Sequence, residues 1–464
     1  MIAGKGSYKN IAVLDLTHGG VTIAKKLSEL GYNVYAVDVY NTVDAETLSY
    51  LQINSNISTF KEPFFVDNLD LLIAPVHLDP DYPMLVQAYK KGVETATHHK
   101  IVGDILSRDK RVKDAAIIEI TGTKGKTSTA SILADILSRR MNVILHTSQG
   151  LEFWKNGLPE RICNGLSITP GNILQVVDMS LSKELNPDAY VFEVSLGGTG
   201  LADMGIITTL NQDFTIANGT KQASSAKLEM IDNAKLNSKM VINSNAKEAI
   251  LCSRKKHIKT FEFNTGNVPD NPVDLNLMFD NDGIIIKLQD EMFSIDAGYG
   301  YDIESYTTAV AAAVSAAHEM NVEFPIIKKT LIEFSGLKGR MREQKFSNGI
   351  LIDNSNSGMD AVSAEKSLDY ALRKKCSGKI VMIMGEESAQ VCEGLFLKNV
   401  HDFVERRNDD IDQLILVGER LCNIKHEDAY YTSTLDEGLK VAFDIADKYL
   451  GSDNLIISSV KCFR

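Results

Sequence analysis

The segment Thr121-Gly122-Thr123-Lys124-Gly125-Lys126-Thr127-Ser128-Thr129 stands between an apolar run, Ala115 to Ile120, and a helical pattern starting near Ser128. A strand, a glycine loop and a helix in that order commit the chain to an α/β sheet with a phosphate cradle at the strand end. Glycines let the backbone turn tightly and set its N–H groups against phosphate oxygens, and the following helix aims its positive end at the same anion. In such a loop Lys126 neutralises the outer phosphates and the Thr127 hydroxyl ligates magnesium, with Thr123, Lys124, Gly125 and Ser128 completing the cradle. The full pattern asks for another glycine five residues before Gly125, where Ile120 stands, so the loop is a shortened variant. A chance Gly-Lys-Thr in a surface turn is the competing reading, and the strand and helix on either side weigh against it.

Single cores stop growing near ~250–300 residues, so a chain of 464 residues with 44% hydrophobic content predicts two or three domains. The boundaries fall near residues 112 and 335, giving segments 1–112, 113–335 and 336–464. The net charge of −12, from 49 basic and 61 acidic residues, lacks the basic excess of a nucleic-acid footprint. Apolar runs such as Leu71 to Val76 are strand-sized, far short of the ~20 residues that span a bilayer. The opening Met1 to Gly6 carries no long apolar core before a cleavage site, which predicts no signal peptide, no membrane partner and a cytoplasmic location. Cys163, Cys252, Cys376, Cys392, Cys422 and Cys462 form no C-x-x-C pair and read as reduced, mostly buried thiols. His98 and His99, read as strand neighbours facing opposite ways, lack a spaced third ligand and predict a structural or surface role.

Residues 11–16, Ile-Ala-Val-Leu-Asp-Leu, lead into Thr17-His18-Gly19-Gly20 and a helix with Ile23, Leu27 and Leu30 on one face, ended by Gly31. A strand over Val34 to Val39 follows, and this order begins a Rossmann-like parallel sheet. The dinucleotide fingerprint is absent, because no third glycine follows at the right spacing. Thr17, His18, Gly19 and Gly20 offer a small anion-binding loop. Asp38 sits where such folds place a ligand carboxylate, although a turn aspartate fits equally. The alternation continues with a strand over Leu69 to Pro75 and a helix over Tyr82 to Lys91 closed by Gly92. The middle segment adds an alanine-rich helix, Thr307 to Met320, a turn-rich link over Asn264 to Asn271 and a hairpin around Asn281-Asp282-Gly283. The last α/β unit predicts strands at Ile350 to Ile352, Ile380 to Met384, Leu414 to Val417 and Leu455 to Ser458.

Beyond the loop, the chain resembles the Mur ligase superfamily over essentially its whole length. That resemblance implies a three-domain α/β architecture: a Rossmann-like N-terminal domain, a central P-loop ATPase domain and a C-terminal Rossmann-like domain. It also implies an ATP-dependent ligase that activates a carboxylate as an acyl phosphate, which a nucleophile then attacks. Val191-Phe192-Glu193-Val194-Ser195 resembles the family's strand-end glutamate, implying that Glu193 holds magnesium beside Thr127; a glutamate merely capping a strand is the alternative. Thr169-Pro170-Gly171-Asn172-Ile173 resembles the loop that approaches the phosphate and substrate carboxylate, implying a contact from Asn172. Ser225-Ala226-Lys227-Leu228-Glu229 resembles the segment in which many members carry a carbamylated lysine, implying Lys227 as a ligand of a second magnesium. A helix-surface lysine is the alternative.

Gly339-Arg340-Met341 resembles the family's Gly-Arg-Met junction, implying that Arg340 reaches the phosphates. Asp353-Asn354-Ser355-Asn356-Ser357 is similar to its nucleotide-contacting Asp-rich loop, and Ile383-Met384-Gly385-Glu386 occupies the place of its glycine loop. Lys126, Glu193, Lys227 and Arg340 are thus the implied catalytic groups. Two positions depart from the pattern. Phe214 stands where the family carries a histidine that ligates the second metal, and no adenine-contacting Asn is evident around Tyr306-Thr307-Thr308.

The N-terminal domain, through Leu14 to Gly20, Ala36 to Thr42, Thr97 to Lys100 and the terminal Lys461 to Arg464, resembles the methanogen branch of the superfamily. The implied substrate is a nickel-bound reduced tetrapyrrole whose propionate is activated by ATP and attacked by a carbanion on the same macrocycle, closing a carbocyclic ring. Nucleophile and electrophile share one molecule, so no amino-acid pocket is required. Nickel enters with the substrate, consistent with the lack of a His/Cys ligand cluster in the sequence. His18, His77, His98 and His99 are the titratable candidates for the base. Two alternatives stay open: an amide-forming relative of pseudomurein peptide or polyglutamate type, and a non-catalytic ATP-binding regulator.

Overall fold

The computed structural model describes residues 8–55, 57–266, 272–280, 283–296, 300–374, 378–387, 394–424, 428–449 and 453–463. In chain order the first elements are β1 (Asn10–Leu14), α1 (Val21–Glu29), β2 (Asn33–Val37), α2 (Ala45–Ser55), β3 (Ser58–Phe60), β4 (Leu71–Ala74), α3 (Pro83–Lys91), β5 (Glu94–Thr97) and α4 (His98–Leu106). The strands form one parallel sheet in the order β3-β2-β1-β4-β5, the doubly wound arrangement in which ligands bind where the order reverses, beside the C-terminal end of β1. Helix α1 buries Ile23 and Leu27, but Leu30 is exposed because it lies one residue past the last turn, at the C-cap before Gly31. His98 and His99 open a helix rather than sit on a strand: the Thr97 side chain accepts from Lys100 N at its N-terminus, and both histidines are buried.

The following elements are β6 (Ala116–Thr121), α5 (Lys126–Ser138), β7 (Val143–Thr147), β8 (Gly150–Lys155), β9 (Leu158–Cys163), α6 (Pro170–Ser182), β10 (Ala189–Glu193), β11 (Met204–Ile207), β12 (Thr215–Ile216), β13 (Lys221–Gln222) and α7 (Ala223–Asp232). They continue with β14 (Lys239–Asn243), α8 (Lys247–Lys255), β15 (Lys259–Thr265), β16 (Leu275–Asp280), β17 (Gly283–Leu288), β18 (Glu291–Asp296), α9 (Thr307–Glu319) and α10 (Phe324–Glu333). Strands β7, β10, β6, β11, β14 and β15 lie side by side in that order and run parallel. Strands β8 and β9 add an antiparallel edge beyond β7. The buried strands read as near-continuous apolar runs, as a sheet covered on both faces requires. One hydrophobic core runs from Ile11, Ile23 and Ile101 through Ile173 and Val177 to Tyr190 and Phe192, so α1 and α4 of the first sheet pack directly on α6 of the second. The strands flanking Asn281 and Asp282 are present, while those two residues lie outside the described ones, as do residues 267–271 of the turn-rich link.

The last elements are β19 (Arg342–Phe346), β20 (Gly349–Asp353), α11 (Ala361–Arg373), β21 (Ile380–Glu386), α12 (Leu397–Arg407), β22 (Gln413–Val417), β23 (Tyr430–Thr432), α13 (Leu435–Lys448) and β24 (Asn454–Lys461). Their sheet order is β19-β20-β24-β21-β22-β23, parallel except for the β19–β20 hairpin. The expected glycine loop at Gly385-Glu386 is instead the end of β21. Glu386 is buried there, accepting from Arg420 Nη1 at 2.9 Å, which keeps the strand going two residues further. The chain divides into two compact units, one holding the first sheet and the parallel strands β6 to β15, the other holding the last sheet. Of the four described cysteines only Cys462 is buried, against the expectation of mostly buried thiols; Cys422 is exposed.

Candidate functional site

The phosphate loop leaves the end of β6, and its helix begins at Lys126, two residues earlier than the apolar pattern predicts. Gly125 makes this start possible: its φ of 82° lies in the left-handed region, which an L side chain enters only with strain. Gly122 is more constrained, with φ of 147° and a Cβ position that would fall 2.0 Å from Thr208 Oγ1. Thr208, just past β11, donates from Oγ1 to Lys124 O at 2.6 Å, and Thr123 donates from Oγ1 to Asn211 O at 2.6 Å. The loop is therefore strapped to the neighbouring strand end before any ligand arrives, and the Thr123 side chain faces that strap. Lys126 Nζ donates to Gly122 O at 3.0 Å, folding its ammonium back over the loop.

Glu193 is the last residue of β10, which lies beside β6, and the two strands place their C-terminal ends level. Thr127 Oγ1 donates to Glu193 Oε2 at 2.9 Å with both residues buried, and Ser148 N, just beyond β7, donates to the same oxygen at 3.1 Å. Cis oxygens around a hexacoordinate magnesium, each ~2.1 Å from the ion, lie about 2.9 Å apart. The hydroxyl and carboxylate thus fit a hard cation in both chemistry and spacing. Ser148 escaped the sequence reading because only the adjacency of β7 and β10 brings its amide to Glu193.

Lys227, on α7, is 1% exposed, the opposite of the helix-surface reading. Burial drives its pKa down to about 7, the like charge of Lys126 adds to the fall, and Asp213 opposes it. Its Nζ sits 5.2 Å from the centroid of the Phe214 ring, so the residue that departs from the family pattern walls in this amine. A buried amine near neutrality is the species that takes up CO2.

Asn172 lies in the first turn of α6 but spends its amide on Ser167, donating to the carbonyl at 2.8 Å and to Oγ at 2.9 Å. The N-terminus of α6 is pressed against the turn after β1: a Cβ on Gly171 would lie 2.0 Å from Gly19 O, and one on Gly19 would lie 2.8 Å from Gly171 N. Thr17, His18, Gly19 and Gly20 form that turn. Thr17 Oγ1 pairs with Thr42 Oγ1 at 2.5 Å. Asp38 is fully buried and accepts from Thr42 N and Val43 N, at 3.3 and 3.0 Å, so it holds the turn after β2. Contrary to the expectation of no ligand-like cluster, the structure gathers Asp15, His18 and His77 within 4.8 Å of one another at the ends of β1 and β4.

In the second unit, Asp353 ends β20 and is buried, accepting from Gly339 N at 3.0 Å and Ser355 N at 3.2 Å. Tyr306 donates to Arg340 O at 2.5 Å and accepts from Leu337 N at 2.8 Å, inside an edge-to-face trio with Tyr301 and Phe334. Asp353 and Tyr306 together fix the turn that carries Arg340.

A glycine loop at a strand end, a buried Thr–Glu oxygen pair beneath it and the buried amine of Lys227 on α7 make up the candidate site, and sequence comparison places the chain in a family. Residues 120–299 match the Mur ligase middle domain and residues 343–462 the family described as Coenzyme F430 synthetase CfbE, C-terminal domain. A curated protein from Methanosarcina acetivorans called Coenzyme F(430) synthetase is 46% identical over 98% of this chain and 99% of its own. The chain belongs to the coenzyme F430 synthetase family, within the Mur ligase superfamily. A second F430 synthetase, from Methanocaldococcus jannaschii, is 27% identical over 88% of this chain and 90% of its own. Among solved structures, a bifunctional folylpolyglutamate synthase/dihydrofolate synthase with Mn, AMPPNP and L-glutamate bound aligns with a TM-score of 0.57 at 16% identity, covering 78% of this chain and 90% of that one. That likeness shows the α/β fold alone. Among the described residues no helix is long and apolar enough to cross a membrane.

Proposed function

We propose that this protein uses ATP and magnesium to convert a propionate carboxylate of a nickel-bound reduced tetrapyrrole into an acyl phosphate. A carbanion of the same macrocycle then attacks it, closing a carbocyclic ring with release of ADP and phosphate. The observation that carries this reading is the buried Thr127–Glu193 pair beneath the glycine loop, taken with near full-length similarity to a protein named for coenzyme F430 synthesis. The α5 N-terminus and Lys126 hold the phosphates. Thr127 and Glu193 would hold magnesium, with a carbamylated Lys227 for a second ion, and the metal would supply charge neutralisation at the phosphates. Thr123, Lys124, Gly125, Ser128, Asn172 and Asp353 complete the nucleotide site, and Arg340 stabilises charge on the transferring group. The segments 1–112, 113–335 and 336–464 serve as substrate, ATP and closing domains of a cytoplasmic enzyme, with Thr17 to Gly20 on the substrate side and the buried Asp38 holding the turn beside them. Nickel is part of the substrate.

Incubation with ATP, magnesium and the open-ring nickel tetrapyrrole acid, following visible spectrum and free phosphate together, tests this. Both signals are expected to move in step and to vanish in Lys126→Ala. Phosphate release that depends on an added amino acid and ignores the tetrapyrrole would sink the cyclase reading.

A further inference from the structure

Resting on that ring-closing reading, the carbon nucleophile needs a proton acceptor, and four histidines of the first sheet are available to supply it. His98 is fully buried, its Nε2 donating to Leu14 O at 2.8 Å, and burial brings its pKa down to about 4. His99 is buried under Gly197 and is pushed to about 3 by burial and by His98 and His77. Neither reaches a substrate. His77 sits with Nε2 3.4 Å from Asp15 Oδ2, without a short hydrogen bond to direct it.

His18 differs. Its Nδ1 donates to Asp15 Oδ2 at 2.7 Å, while Asp15 Oδ1 accepts from Thr17 N at 3.1 Å and His18 N at 3.2 Å. Asp15 is fully buried at φ 66°, a left-handed conformation that a non-glycine residue holds only at a cost and that concentrates at functional sites. The carboxylate thus locks one imidazole tautomer, with the proton on Nδ1 and the lone pair on Nε2, in a side chain that stays one-third exposed. The next residue, Gly19, touches the α6 N-terminus at Thr169 and Gly171, which joins this turn to the sheet carrying Glu193. The same geometry argues against a cation among Asp15, His18 and His77, since the Asp15 oxygens and His18 Nδ1 are already engaged with one another.

We propose that His18, oriented by Asp15, accepts the carbon-bound proton of the substrate. The proton passes to Nε2, and the electron pair left on carbon attacks the acyl-phosphate carbonyl. The carbanion's pair becomes the new carbon–carbon bond, the carbon–oxygen bond to phosphate breaks, and phosphate leaves with the electron pair of that carbon–oxygen bond. The imidazolium, stabilised by Asp15, returns its proton to water. Asp15 is a positioning residue in this scheme. The groups facing His18 are Asp15 in its own turn, Tyr40 beyond β2 and His77 beyond β4, with His98 beneath and Asp79 acting on Tyr40. The hydrogen bond to Asp15 raises the His18 pKa, against burial, so the base form fills as pH rises through that raised value.

Two readouts test the assignment with the full chain: exchange of the substrate's carbon-bound proton in D2O without ATP, and hydroxylamine trapping of the acyl phosphate with ATP and magnesium. In His18→Asn, exchange and ring closure are expected to fall at least a hundredfold further than hydroxamate formation, within the ~10²–10⁴ of general base catalysis. The variant should also lose the rising limb of the pH profile, and Asp15→Asn should move that limb to lower pH. Exchange and closure at wild-type rates in His18→Asn overturn the proposal, as does a loss of hydroxamate matching the loss of closure, which is substrate binding. Persistent exchange with a shifted nickel absorption band makes His18 a nickel ligand and also overturns it. Wild-type protein that forms no hydroxamate refutes the ligase reading itself.

Discussion

Replacing Lys227 by methionine should stabilise the protein while abolishing its ligase activity. The side chain is 1% exposed and its pKa falls from 10.5 to about 7 on folding. The sign follows from linkage: the unfolded chain binds the proton more tightly, so the folded state is penalised increasingly as pH drops from 10.5 to about 7, and by a constant amount below that. That fall, at ~1.4 kcal/mol per pH unit, gives a penalty near 4 kcal/mol at pH 7, once the half-neutral folded form is counted. Loss of the contact with Phe214 removes roughly 0.5–1 kcal/mol of this, leaving about 3 kcal/mol for an apolar side chain of similar length. Chemical denaturation of Lys227→Met and wild type between pH 6 and 10 reads the effect; the gap should be largest at and below pH 7 and shrink toward pH 10. Tetrapyrrole-dependent phosphate release should fall to background, and a ¹³C carbamate resonance seen with labelled bicarbonate should disappear. A variant less stable than wild type at pH 7, or one that keeps its activity, would refute the reasoning.

Thr127→Val removes one of the two described hydrogen bonds to the buried Glu193 carboxylate; a loss of about 1–3 kcal/mol in denaturation and a fall of ~10²-fold or more in phosphate release are expected. Gly122→Ala forces a Cβ onto Thr208 Oγ1 at a φ of 147° and should cost about 2 kcal/mol or more, with nucleotide binding lost by calorimetry. His98 and His99 have folded pKa values depressed to about 4 and 3, so the stability they confer is present above about 6.5 and lost as pH falls. His18, with a raised value, gains its stability as pH falls toward 6.5 and adds a constant amount below it, so it leaves the slope below pH 6.5 unchanged. Stability in denaturation should therefore drop by about 1–3 kcal/mol per pH unit below pH 6.5, and replacing both buried histidines by glutamine should flatten that slope.

Local chemistry made much of this molecule legible. A glycine loop between an apolar strand and a helix, and an acid at a strand end, carry their meaning in a few consecutive residues, and Thr127 and Glu193 do meet. Single-residue boundaries were less legible, because Leu30 owes its exposure to the exact residue at which α1 is capped, and Gly385 its place in a strand to the Arg420–Glu386 contact, which only the tertiary fold supplies. His98 and His99 read as strand until the Thr97 cap and the burial of α4 decide otherwise. The Asp15–His18 pair was hidden for a different reason. The three-residue spacing is visible, but the left-handed turn that points one side chain at the other is not, and His77 joins them only because β4 pairs with β1.

Activation of the carboxylate by phosphorylation moves one of its oxygens onto phosphate, and an oxygen isotope follows that transfer. With both carboxylate oxygens of the open-ring acid labelled with ¹⁸O, mass analysis of the released phosphate should find one labelled oxygen per phosphate, in equal number with rings closed and ATP cleaved. Unlabelled phosphate alongside ring closure would mean that no acyl phosphate forms, and would contradict the account.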